Sequence, residues 1–158
     1  MWRRVRYVLV LIALCAIATC PTAKRSCVAK NESREADDLL EYLADRIESI
    51  ARTTGKVPPD PAGPTPVPNC CDQGTTCAPD DTLWKTKGWE ALGFSIDGTF
   101  RYTYEYIPDP SGSSAIVRAT GNLDCDEVPS VYEVKLVLEP GAGGAAVARS
   151  WTRKNPYE

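Results

Sequence analysis

The sequence predicts an α+β domain in which a long N-terminal amphipathic helix packs on an antiparallel β-meander sheet. Two periodicities indicate this fold class. Apolar residues recur at helical spacing over residues 33–54, and from residue 89 onward the chain changes to period-two alternation between short turns. A chain of 158 residues is long enough for one domain of ordinary size.

The predicted helix, residues 33–54, carries one apolar stripe. Its members follow the i, i+3, i+4, i+7 spacing: Ala36, Leu39, Leu40, Leu43, Ala44, Ile47, Ile50 and Ala51. Asn31 or Ser33 can cap the start of the helix, and Gly55 can close its end. We expect the stripe to pack on the core of this domain; the alternative is a helix that binds a partner.

The predicted sheet lies within residues 89–152. Its clearest strand is 100–107, in which Phe100, Tyr102, Tyr104 and Tyr106 share one face. Segments 115–120 and 131–138 are further strands, and 146–152 is an expected edge strand. Short turns separate these segments, and such connections favour an antiparallel meander.

Residues 57–81 are predicted to form a loop rich in proline and cysteine. Six prolines fall between Val57 and Pro68, a density that allows no regular structure except polyproline II. Residues 69–81 are polar and contain three cysteines, as expected of a surface loop held by disulfides.

Residues 1–23 are predicted to be an export signal or membrane anchor, because three arginines precede the apolar run 8–18. Three fates are open. Cleavage after Ala18 would release a secreted protein, and lipidation of Cys20, in a segment that resembles the bacterial lipobox, would give a lipoprotein. The third fate is a retained anchor helix. Each fate places the single globular domain predicted for residues 24–158 outside the cytoplasm, either membrane-associated (periplasm, outer membrane or cell surface) or secreted.

Composition excludes several functions. The chain has no histidine, so Ser-His-Asp and Cys-His catalysis and histidine-ligated zinc sites cannot form. Removal of residues 1–19 would leave 15 basic and 21 acidic residues, a balance that argues against nucleic-acid binding. Asp124 and Asp126 have no identifiable nucleophile or base as partner, and we therefore expect a protein that is not an enzyme.

Seven cysteines in so short a chain indicate an oxidising compartment. Cys15 lies in the apolar run and is expected to take no part in the fold. Four cysteines are predicted to form disulfides: Cys70, Cys71, Cys77 and Cys125. The adjacent Cys70 and Cys71 should each bond elsewhere, because a disulfide across one peptide is strained. The pairing and the role of Cys27 stay open, and a thiolate metal site is the alternative, although CxxC pairs are missing.

Residues 122–133 predict a calcium site. Asn122, Asp124, Asp126 and Glu133 fall at positions 1, 3, 5 and 12 of the twelve-residue calcium loop, where side-chain oxygens would converge on the ion. Glu127 stands at position 6, where that loop normally has glycine. The alternative is an acidic turn whose carboxylates accept hydrogen bonds from backbone N–H groups.

Several of these features together resemble bacterial type IV pilin-like proteins. They are Pro21 at the end of the apolar segment, the helix closing in Gly-Lys-Val-Pro, the W-x-x-L-G-F-x-I pattern at 89–96, the vicinal Cys70-Cys71 pair and the segment 119–126. The resemblance runs from about residue 33 to 139, but the N-terminal region lacks the family's cleavage glycine and the acidic residue of its apolar helix.

The resemblance implies a pilin-like fold and a non-enzymatic role as a structural or accessory component of a type IV pilus or type II secretion system. Its partners would then be the subunits of that machinery, with the N-terminus in the membrane. The alternative is a tethered or secreted module that binds a ligand or another extracytoplasmic protein. In that case Trp84, Trp89, Tyr102, Tyr104 and Tyr106 could line the binding surface, although their spacing is more typical of a core.

Overall fold

A computed structural model describes residues 32–139 and 146–156. Within these ranges one long helix lies on one face of a five-stranded antiparallel sheet, whose strand order follows the chain. The elements are α1 (Arg34–Thr54), β1 (Ala62–Thr65), α2 (Lys87–Leu92), β2 (Thr103–Pro108), β3 (Ser114–Gly121), β4 (Ser130–Glu139) and β5 (Ala146–Lys154), with 3₁₀ turns at Cys71–Gln73 and Asp81–Trp84.

Helix α1 is held by its apolar stripe and by a glycine at its end. The buried residues are Ala36, Leu40, Leu43, Ala44, Ile47 and Ala51, which pack over β3 and β4. Gly55 adopts φ +74° and donates its N–H to the carbonyl of Ala51, a conformation that glycine takes without steric cost.

The sheet buries one face and exposes the other. On the buried face Tyr104, Tyr106, Val117 and Val134 are fully covered, in step with period-two alternation. On the outer face Arg118 lies between two acidic residues of neighbouring strands, 2.9 Å from Glu105 and 2.5 Å from Glu133. The sheet therefore has one core side and one side lined by half-buried and exposed residues.

The predicted fold class, a pilin-like domain built on a long N-terminal helix, is wrong. Within the described residues the main helix is α1, Arg34–Thr54, and no longer helix that extends toward the N-terminus is shown. The sheet has five strands and begins at Ala62 rather than at residue 89. The predicted export segment 1–23, with Cys20, lies outside the described residues, as does Cys27. Among the described helices, none has the length and apolar character needed to cross a membrane.

Two segments differ from their predicted structures. Strand β1 lies inside the Pro-rich segment predicted to be a loop, because an edge strand needs hydrogen bonds on only one side and so tolerates proline. Residues 87–92, predicted in part as a strand, form α2, which ends at Gly93 with φ +60°. The indole N–H of Trp89 in α2 donates to the Thr65 hydroxyl of β1 at 2.9 Å, which joins these two elements.

The aromatic residues form the core between α2, the second 3₁₀ turn and β2. The Trp84 ring packs on Trp89, Phe94 and Phe100 with centroid separations between 5.2 and 5.8 Å. Phe94 also contacts Tyr104. Because Trp84, Trp89, Tyr102, Tyr104 and Tyr106 are all buried, they do not line an exposed ligand surface.

Replacing Gly88 with alanine should destabilise the domain by about 2 kcal/mol, an overpacking cost. Helix propensity alone predicts the opposite sign, by about 1 kcal/mol. However, a Cβ at Gly88 would lie 2.2 Å from the Pro61 carbonyl oxygen, where backbone atoms cannot move aside cheaply. Gly98→Ala is the matched control, since a Cβ there meets nothing within 4 Å. Urea unfolding of both variants checks the prediction, and equal midpoints for the two would contradict it.

Candidate functional site

The two loops at one end of the sheet contain most of the predicted site residues. Strands β1 and β3 end there and β4 begins there, with Gly121 paired to Ser130. Residues 66–77 follow β1, and residues 122–129 connect β3 to β4. We call these two loops the clamped end.

Two disulfides hold the clamped end. Cys70 bonds to Cys77 across seven residues, and Cys71 bonds to Cys125 across 54 residues, so the vicinal cysteines have different partners. Cys70 and Cys77 are only 2% and 1% exposed, and Cys77 exchanges two backbone hydrogen bonds with Phe100. The first bond therefore anchors residues 66–77 to the core, and the second ties residues 122–129 to that anchored loop. Such disulfides indicate an oxidising, extracytoplasmic environment.

The predicted calcium ligands of the loop accept hydrogen bonds from the loop's own backbone. Asn122 Oδ1 accepts the N–H of Asp126 at 3.1 Å, and Asp126 Oδ1 accepts the N–H of Val128 at 2.5 Å. Asp124 Oδ1 lies 3.4 Å from the same Asp126 nitrogen. These hydrogen bonds match those expected of the acidic turn that the sequence offered as the alternative.

The fourth predicted ligand, Glu133, is not part of that loop. It lies within β4 on the outer face of the sheet, where its carboxylate pairs with Arg118. Across residues 32–139 and 146–156, no group of three or more Cys, Asp or Glu side chains is placed to hold a metal ion. The structure thus brings Asn122, Asp124 and Asp126 together in one turn and places Glu133 on the strand that follows.

The surface of the clamped end combines exposed apolar and acidic side chains. Val67 is 73% exposed and Val128 is 44% exposed, both high values for large apolar residues. The exposed acidic residues are Asp72, Asp124, Asp126 and Glu127. Beside Val67 lies an open cleft whose lining is part apolar, with three prolines, and part polar or charged, with Asp80, Asp81 and Lys85.

Sequence reasoning missed a half-buried carboxylate at the start of α1. Glu35 Oε1 accepts the N–H groups of Arg101 and Tyr102, at 2.9 and 3.3 Å, and the Tyr104 hydroxyl at 3.0 Å. Burial raises the pKa of Glu35, and the hydrogen bonds from Arg101 and Tyr104 offset this rise only in part. Burial, followed by the nearby Glu35 charge, also holds the pKa of Tyr104 well above its usual value.

A row of acidic residues on α1 was also missed, although its spacing is visible in the sequence. Asp37, Glu41, Asp45 and Glu48 follow one another at helical intervals on the side of α1 that faces β5. Arg149 of β5 binds Glu41 at 3.0 Å and Asp45 at 2.7 Å and also contacts Glu48. Arg153 binds Asp37 at 2.8 Å. These pairs attach β5 to the helix.

These contacts define a small, disulfide-stabilised α+β domain in which backbone N–H groups engage Glu35 and Asp126, and arginines engage Glu133 and the acidic row of α1. No protein-family model, curated protein or solved structure matches this chain.

The pairing of the disulfides can be tested by removing one cysteine at a time. Cys125→Ala should leave Cys71 as the free thiol, and Cys77→Ala should leave Cys70, because each loses the partner observed here. Alkylation of each unfolded, unreduced variant followed by tandem mass spectrometry locates the label. Labelling of Cys70 in the Cys125→Ala variant would show the opposite pairing.

The raised pKa of Glu35 predicts a pH-dependent stability. Because the folded state holds the proton more tightly than the unfolded state, this contribution is fully present below the ordinary glutamate pKa of about 4.3 and is lost as pH rises through the folded value. Glu35→Gln keeps an acceptor for the two N–H groups but cannot titrate. The stability of the unmodified chain relative to this variant should therefore fall as pH rises above about 4.3.

Urea unfolding of both proteins at a series of pH values measures this difference. A relative stability that rises with pH would show that the hydrogen bonds to Glu35 outweigh its burial and lower its pKa in the folded state.

Proposed function

We propose that this chain is a non-enzymatic, extracytoplasmic domain that binds another protein through its clamped end. The observation that carries the proposal is the use of two disulfides to fix two irregular, exposed loops. Ordering such loops costs about 1–2 kcal/mol per residue in backbone entropy. Because the disulfides already order these loops, binding a partner loses little further backbone entropy, and the affinity for the partner is higher.

The side chains of the clamped end support a protein partner. The exposed Val67 and Val128 and the proline-lined cleft offer apolar contact area, and the four exposed acidic residues would surround it. An apolar centre with a polar rim is the usual composition of a protein interface. The acidic rim favours a partner that presents Lys or Arg and disfavours nucleic acid.

The described titratable groups also support a binding role. Glu35 has a shifted pKa, but its carboxylate is turned toward backbone N–H groups and a tyrosine rather than toward an open cavity. A catalytic carboxylate would need access to substrate. Residues 1–23 would hold the domain at the membrane if they are retained or if Cys20 is lipidated.

A second candidate is a structural or accessory subunit of a type IV pilus or type II secretion system. The motifs at 89–96 and 119–126 and the vicinal cysteines support it through their resemblance to pilin-like proteins. In that setting the clamped end would contact a neighbouring subunit of the assembly. Both candidates use the same surface, and the identity of the partner separates them.

Photo-crosslinking in the cells that produce the chain tests the proposed interface. A photoreactive phenylalanine analogue in place of Val67 or Val128 should give one discrete adduct with another protein. The same analogue at Thr53, an exposed residue near the end of α1, is the matched control and should give none.

The paired substitution Cys71→Ala/Cys125→Ala should reduce the adduct by about tenfold, because residues 122–129 are then no longer tied to residues 66–77. Adducts of equal yield from positions 67, 128 and 53 would contradict the proposal, as would a yield that does not change when this disulfide is removed.

A further inference from the structure

The two edges of the sheet differ. At one edge, β1 is four residues long, contains Pro64 and is flanked by Pro61 and Pro66, and α2 packs against it. At the other edge, β5 is nine residues long and contains neither proline nor glycine. All nine of its residues pair with β4, and among the described residues none pairs with its other side. Open edges of this length readily accept another strand.

The arginines of β5 do not protect this edge against pairing with another strand in the usual way. Guarding charges project from an edge strand and repel an incoming one. Here the guanidinium groups of Arg149 and Arg153 are directed to carboxylates of α1, and Arg153 also lies 5.0 Å from the centre of the Trp151 ring. The other face of β5 has exposed small side chains at Ala148, Ser150 and Thr152, which leave room for an adjacent strand, and its one charged residue, Lys154, lies at the last position of the strand.

The sequence of β5 suits pairing with itself. If two copies of β5 pair antiparallel with both helices on the same face of the sheet, each inner residue must lie opposite an inner residue of the other copy. Because inner and outer residues alternate along the strand, the numbers of two opposite residues must then add up to an even number. A pair centred on Ser150 overlaps over all nine residues of β5 and places Arg149 opposite Trp151 of the second copy. Shifting the centre by one residue brings Arg149 opposite Arg149 or Arg153, and like charges in direct opposition are destabilising.

We infer that β5 is a homodimer interface, at which two copies of this chain pair antiparallel about Ser150 and form one continuous ten-stranded sheet. Nine paired residues on each side would form about nine backbone hydrogen bonds, within the usual range of about 10 ± 5 for a protein interface. Each Arg149 would lie opposite Trp151 of the other copy, so that no two arginines face each other across the pair. This surface is separate from the clamped end, and the inference does not depend on the proposed function.

Disulfide trapping in cells that express the full chain tests the inference and its register. Ser150→Cys places two cysteines opposite each other at the two-fold axis, within the Cα separation of about 4.4–6.8 Å that a disulfide allows. Ala148→Cys, on the same exposed face, places them four residues apart along the strands, or about 14 Å, too far to bond. A dimer linked through residue 150 is expected for the first variant and not for the second. The native cysteines are the same in both variants and serve as an internal control.

Sedimentation equilibrium of the exported chain provides the second measurement. Ser150→Lys brings two like charges together at the axis and should weaken dimerisation at least tenfold, whereas Ser150→Thr, which favours strand structure, should preserve it. Three results would each overturn the inference. The native chain could stay monomeric at 0.2 mM, which is about the upper range of such an experiment. Disulfide trapping could be equal at positions 148 and 150, or residue 150 could be trapped to a different protein.

Discussion

The burial of α1 on the β3–β4 part of the sheet is the packing on which the rest of the structure depends. One helix can cover only one face of a sheet, so the inner positions of β2, β3 and β4 are mostly apolar or aromatic, whereas the outer positions mix polar and charged residues with apolar ones such as Ile116 and Val137. Helix α1 meets β5 through ion pairs with Arg149 and Arg153, and β5 is further attached by its pairing with β4 and by the packing of Val147 and Trp151 on the core. The β5 edge is therefore held by both ion pairs and apolar packing, whereas the centre of the sheet packs under α1 mainly through apolar side chains.

Sequence periodicity located the apolar stripe of α1 and the tyrosine face of β2, because each has a single period over many residues. It failed for α2 and β1. Trp89 and Leu92 are three residues apart, which is typical of a helix, but the longer segment 89–96 also fits the pattern of a strand. The contact of α2 with β1, which the sequence does not show, favours the helix. In β1, prolines concealed a strand that pairs on one side only.

The sequence predicted which residues belong to the candidate site but not how they are arranged in space. The four cysteines of the clamped end could be chosen from the sequence, but their pairing depends on the fold. Linear spacing placed Glu133 in a calcium loop, whereas β4 begins at Ser130 and carries that residue to Arg118. The contact of Glu35 with Arg101 and Tyr104 spans more than sixty residues, and no local pattern predicts which strand meets the start of a helix.

The bond between Cys71 and Cys125 closes a covalent ring that contains α2, β2 and β3. A protease that cuts one peptide bond between these two cysteines leaves both fragments attached to each other. The severed ends also stay close to their original positions, since the sheet and the second disulfide hold the remainder of the ring. Proteases are common outside the cell, and a damaged chain cannot be replaced there by new synthesis. This topology therefore lets a molecule with one cut peptide bond keep its fold and stay in one piece.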